Sequence, residues 1–170
     1  MRAISSTGFT GLRTHRQAPL VSLVGVLGGC ADLGFAAAYW LPQGVAPIRI
    51  PQSIAAWVLG KEVAIAGGPA TALMGIALYC YLTTLMVTLY VLMAPRHAVL
   101  LCRPLLAGAL YGVAMYTLLF KAIVPLWTGI PSPPEPLEWT LACVAAFVFF
   151  IGIPSALCAR MEAETTNSIR

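Results

Sequence analysis

Few residues in this chain can do chemistry, and two of them stand in apolar surroundings. Asp32 and Lys121 lie inside long hydrophobic runs of a sequence that is only 9% charged. A charge in hydrocarbon is costly, so intramembrane acids and bases mark ion or proton pathways, mutual pairs or ligand counter-ions. Gly25, Gly29, Asp32 and Ala36 recur every three or four residues. On a helix this puts Asp32 on the face of a GxxxG-type pair, where another helix can approach closely. Tyr79 shares a face in the same way with Gly75 and Thr83. Asp32, Tyr79 and Lys121 are therefore the candidate polar site within the membrane, and Gly25, Gly29, Gly108 and Gly112 the candidate helix-packing positions.

Other chemistries find no constellation. The only histidines, His15 and His97, fall near the ends of apolar runs, so intramembrane haem ligation is excluded. Cys30, Cys80, Cys102, Cys143 and Cys158 form neither a CxxC nor a short Cys/His spacing, and are read as small apolar fillers. No Ser/His/Asp or Cys/His arrangement is present at workable spacing. The expectation is a protein without catalytic residues, metal or cofactor.

The elements that must position the polar residues are membrane spans. The chain has 170 residues and is 59% hydrophobic, whereas a soluble domain is about 45–50% apolar and about 25% charged. The runs Pro19 to Leu41, Pro69 to Met93, Pro104 to Trp127 and Leu137 to Ala159 each reach the ~20 residues of helix that cross a bilayer. The fold class expected is an all-α membrane protein, a four-transmembrane-helix bundle. A short interfacial or re-entrant helix over Gln52 to Ala66 is expected between the first two spans, with Trp57 as its anchor. Residues 19–160 form one transmembrane domain, flanked by a loose tail over 1–18 and a short one over 161–170. Pro131, Pro133, Pro134 and Pro136 predict a stiff outer hairpin. Gly152 and Pro154 permit a kink near the cytoplasmic end of the last span.

Charge sets the orientation. Seven Lys and Arg (Arg2, Arg13, Arg16, Arg96, Arg103, Arg160 and Arg170) lie on one side of the spans, and only Arg49 and Lys61 on the other. The positive-inside rule places both termini in the cytoplasm. The net charge of +4 thus reports topology and implies no nucleic acid. Leu27-Gly28-Gly29-Cys30 forms a loose lipobox, but apolar sequence continues through Trp40, beyond the ~7–15 residues of a signal core, so a retained span is expected.

Depth along the helices tests whether the polar residues meet. At 1.5 Å per residue, Asp32 lies roughly 18 Å above the cytoplasmic face, Tyr79 roughly 17 Å and Lys121 roughly 24 Å. Asp32 and Tyr79 are level. Lys121 stands roughly 220° around its helix from Gly108 and faces a different neighbour. Two readings stay open for it: snorkelling to the outer headgroups, or an intrabundle pair with Asp32 or an ion- or proton-responsive site that includes Tyr79.

The stretch Gly67-Gly68-Pro69-Ala70-Thr71-Ala72-Leu73-Met74-Gly75-Ile76-Ala77-Leu78 carries a resemblance, as do Leu106-Ala107-Gly108, Tyr111-Gly112 and Ile123-Val124-Pro125-Leu126. Over about residues 29–160 the chain resembles the YagU-like bacterial four-span membrane proteins. In that pattern an acid occupies the position of Asp32, a histidine is usual where Tyr79 stands, and an asparagine where Lys121 stands. The resemblance implies a bacterial inner-membrane location and lends no activity. Two function classes follow from the residues. A structural or accessory subunit, packing through glycine-rich faces against itself or a larger complex in the bilayer, needs the fewest assumptions. A small oligomeric transporter or channel with a polar site around Asp32 is the alternative.

Overall fold

The computed structural model describes residues 7–129 and 136–167, with side chains over 19–97, 99–129 and 136–164. Its elements are α1 (Thr7–Trp40), α2 (Arg49–Leu59), α3 (Lys61–Ala66), α4 (Gly68–Met93), α5 (Ala98–Cys102), α6 (Pro104–Tyr116), α7 (Val124–Thr128), α8 (Leu137–Ala146) and α9 (Ile153–Asn167). A π-helical segment, Thr117–Ile123, joins α6 to α7, and a second, Phe147–Gly152, joins α8 to α9. Four helices are long and apolar enough to cross a membrane: Pro19–Gln43, Gly68–Arg96, Pro104–Thr128 and Leu137–Glu164. The protein is an all-α, four-span membrane protein with shorter helices between its first two spans. Outward-facing Leu27, Leu73, Leu85, Leu110 and Phe149 are exposed, as lipid-facing side chains of a span must be. Residues 130–135, which carry most of the proline hairpin, lie outside the described residues.

Two sequence expectations change in detail. Helix α1 reaches back to Thr7 instead of starting at residue 19 after a loose tail. The single short helix expected over Gln52 to Ala66 is two helices, α2 and α3, divided at Gly60. Gly60 has φ +80°, a left-handed backbone that a residue without Cβ adopts at little cost.

Spans pack through their glycines within this chain. A methyl group added at Gly25 would run into the backbone of Thr84, and one at Gly29 would meet Thr83 Oγ1 at 2.6 Å. At Gly112 it would meet the Cα of Val148 at 2.7 Å, and at Gly108 the Cα of Ile153 at 2.9 Å. The first span thus lies backbone to backbone on the second, and the third on the fourth. Thr83 reinforces the first contact, its hydroxyl donating to the Gly25 carbonyl at 2.8 Å and to its own helix at Tyr79 at 3.0 Å. Tyr111 Oη crosses from the third span to the Met86 carbonyl of the second at 2.7 Å.

The two π segments have a cause in sequence. Proline lacks an N–H and its ring crowds the carbonyl four residues earlier. Pro125 and Pro154 therefore disturb the carbonyls of Lys121 and Phe150, which fall inside the two segments. The Phe150 carbonyl approaches Gly28 of the first span so closely that a Cβ there would collide with it. At Gly152 and Pro154 the last span thus carries a widened turn, whose Phe150 carbonyl lies against a glycine.

Helix α2 is docked onto the second span. Gly75 admits the Pro51 backbone, whose carbonyl carbon would lie 2.7 Å from an added Cβ. Ile54 and Ala55 are buried there. Gln52, also buried, is satisfied: its amide donates to the Gly68 carbonyl at 3.0 Å and its oxygen accepts from Arg49 at 3.3 Å. One core cluster, built on Val87, Tyr90, Val91 and Ala156, lies toward the α5 end. The other, built on Ile54, Tyr79, Tyr116, Phe147 and Ile151, supports the α2 end.

Candidate functional site

Asp32 and Tyr79 meet across the interface of the first two spans. Tyr79 Oη donates to Asp32 Oδ2. The pair is buried, Asp32 at 9% exposure and Tyr79 at 2%. The glycine–threonine contacts one and two turns away bring the two backbones close enough for side chains of this length to touch. A buried carboxyl needs a hydrogen-bonding partner, and Tyr79 supplies one. The other carboxyl oxygen has no hydrogen bond to protein among the described residues.

Above this pair opens a cavity of about 820 Å³. Asp32 and Tyr79 line its floor, together with Phe147 and Cys143 of the fourth span. Its walls come from the first span at Phe35 and Trp40, from α2 at Ile54 and Trp57, and from the third span at Phe120 and Val124. Lys61 at the start of α3 and Lys121 in the π segment line it too, and both are exposed. All four tryptophans of the chain, Trp40, Trp57, Trp127 and Trp139, line this one cavity. The volume lies within the ~300–1,000 Å³ of small-molecule sites, and an apolar wall with few convergent polar groups is their usual chemistry.

The walls are held in place by ring contacts. Trp139 packs on Tyr39 at 4.5 Å and on Trp40 at 5.2 Å between ring centres, joining the first and fourth spans. Trp57 meets Phe120 edge-on at 6.0 Å, and Phe120 meets Phe147 at 5.7 Å. Trp127 Nε1 donates to the Trp57 carbonyl at 3.1 Å, which ties α2 to the third span.

The three polar residues of the sequence reading thus line one cavity, but they do not act alike. Asp32 is bonded to Tyr79, and among the described residues no ion pair joins it to Lys121. The roughly 220° count from Gly108 assumed 100° per residue throughout. A π turn holds more residues than an α turn, so each one advances by less, and the count overshoots beyond Thr117. Lys121 accordingly reaches the cavity that Asp32 lines.

The sequence reading missed a thiol pair. Cys30 Sγ and Cys80 Sγ lie 3.8 Å apart between the first two spans, and Cys80 also lies against the Val26 carbonyl at 3.9 Å. Fifty residues of separation hide the pair from any motif search. It offers a test of the packing with native residues, because a disulfide requires the sulfurs to move together by only about 2 Å. Iodine or copper-phenanthroline treatment in membranes is expected to remove two thiols from maleimide labelling after denaturation. Cys30→Ser and Cys80→Ser should each abolish that loss. Undiminished labelling of the oxidised wild type would contradict the contact between these spans.

Among the described residues, no group of three or more His, Cys, Asp or Glu side chains could hold a metal ion. Comparison of the chain with protein-family models, with curated proteins and with solved structures finds no match.

Proposed function

We propose that this protein is a small transporter that binds an amphiphilic molecule in the tryptophan-lined cavity and moves it together with a proton held at Asp32. The observation that carries the reading is the buried Asp32–Tyr79 pair on the floor of that cavity. A carboxyl at the end of a ligand site within the membrane can bind a proton or surrender it as the ligand comes and goes. Tyr79 orients the carboxyl and stays bonded to it in either protonation state, as donor to the carboxylate or to the acid. The alternative, an accessory subunit offering glycine faces to a partner, draws less support. Gly25, Gly29, Gly108 and Gly112 are already covered by spans of the same chain.

The bacterial inner membrane is the setting proposed from the resemblance to the YagU-like proteins, and cytoplasmic termini from the distribution of arginines and lysines. The cavity then opens toward the outer side, where α2 and α3 lie. The reading assigns binding and transport rather than catalysis.

Proteoliposomes test it. Three dansyl probes share one ring system and differ in charge: dansyltaurine (anionic), dansylamide (neutral) and dansylaminoethyl-trimethylammonium (cationic). At least one is expected to accumulate in vesicles carrying the protein under an imposed pH gradient, saturably and above the protein-free rate. Uptake of all three at the protein-free rate would overturn the reading.

A further inference from the structure

A second concavity lies at the other end of the bundle, where α5 leads into the third span. It is a groove of about 450 Å³ between the third and fourth spans. Arg103, Leu105 and Leu106 form one wall, Leu157 and Arg160 the other, and all five are exposed. The two walls are graded alike. Leu106 follows Arg103 by three residues and Leu157 precedes Arg160 by three, so each leucine shares a face with its arginine and lies about 4.5 Å deeper in the span. The third span also starts here at Pro104, and Arg103 gives it no side-chain cap. Its first-turn amides and the positive end of its dipole therefore add to the arginines.

We infer that this groove seats an anionic phospholipid, its phosphate between Arg103 and Arg160 and an acyl chain along Leu106 and Leu157. Charge at this end follows from the whole sequence. Its acids are Glu162 and Glu164, while Asp32, Glu62, Glu135 and Glu138 fall within the first span or toward the far ends of the spans. Residues 1–18 and 165–170, whose side chains lie outside those described, contain no Asp or Glu. Glu164 accepts from Arg160 Nε at 2.9 Å, which occupies one of the five guanidinium N–H groups and leaves the others to a second acceptor. Glu162 stands roughly 200° around the helix from Arg160, on another face. Basic pockets between spans at a membrane surface are the usual seat of acidic lipid heads. The leucines one turn deeper select a lipid over a free phosphate, because they match the chain that follows the head into the bilayer.

Native mass spectrometry tests the assignment. The purified protein in detergent is mixed with equal amounts of phosphatidylglycerol and phosphatidylcholine of the same acyl chains, and the lipid that stays bound is counted. Phosphatidylglycerol is expected to be retained about fivefold or more over phosphatidylcholine. Arg103→Gln and Arg160→Gln should each lower its retention about fivefold, the scale of one basic side chain at an anionic surface. Arg96→Gln removes an exposed arginine at the same end of the bundle that does not line the groove, and should leave retention unchanged. Glycerophosphoglycerol, the same head without acyl chains, should fail to displace the lipid at equal concentration. Equal retention of the two lipids by wild type would overturn the inference, whatever the variants do. So would a loss at Arg96→Gln as large as at the groove arginines, which identifies a diffuse basic surface, or displacement by glycerophosphoglycerol, which identifies a free-phosphate site.

Discussion

Asp32→Asn is expected to abolish pH-gradient-driven probe accumulation while leaving the protein folded and inserted. Asparagine has the shape of aspartate and keeps an oxygen to accept from Tyr79, so the contact between the first two spans survives. It loses the one property the proposal needs, which is a proton that comes and goes. Uptake should fall to the protein-free rate, whereas probe binding in nanodiscs should persist. Tyr79→Phe should behave differently. It deletes the hydroxyl that orients the carboxyl but leaves the carboxyl itself, so uptake should slow by about tenfold without vanishing. Asp32→Asn vesicles that accumulate probe like wild type would remove Asp32 from the mechanism.

A large loss of stability is expected at Gly152→Ala. The added methyl would collide with the Gly108 carbonyl and lie 2.9 Å from the Gly112 nitrogen, so it presses on the third span at two successive turns. The obstacles are backbone atoms, which cannot rotate away as a side chain can. Overpacking of this kind costs about 1–3 kcal/mol, and rigid contacts on both sides put Gly152 at the upper end. Gly34→Ala is the matched control. Nothing lies within 4 Å of a Cβ at Gly34, so only helix propensity changes, by up to about 1 kcal/mol in favour of alanine. Reversible unfolding in mixed micelles, followed by circular dichroism, should show the two substitutions moving in opposite directions. Equal behaviour would contradict the close packing of the third and fourth spans.

What the sequence revealed and what it hid divide along physical lines. Spans are legible because a bilayer demands a run of apolar residues of fixed length, and the four helices start within a residue of the expected positions in the second, third and fourth cases. Depth is legible because helical rise is constant, and the two residues placed at one level, Asp32 and Tyr79, are joined by a hydrogen bond. Azimuth is legible only while the helix stays regular. At Lys121 the π segment before Pro125 changes the rotation per residue, so an angle counted from Gly108 no longer applies there. The break at Gly60 was hidden because glycine within an apolar stretch serves equally as a packing residue and as a hinge. Contacts between distant segments, such as Cys30 with Cys80 or Trp127 with the Trp57 carbonyl, depend on tertiary packing that no local pattern encodes. The convergence of all four tryptophans on one cavity is of the same kind. Each alone reads as an interfacial anchor, and only the fold places them around a common space.

The claim at the centre is that the floor of this cavity couples a ligand to a proton through Asp32. Proton counting during binding tests it most directly: purified protein in weak buffer with a pH-sensitive dye, titrated across the neutral range with each dansyl probe that is taken up. Wild type is expected to exchange protons with the medium as the probe binds, up to about one per site, and Asp32→Asn to bind with no exchange. Probe binding without proton exchange at any pH, or the same exchange in Asp32→Asn, would contradict it.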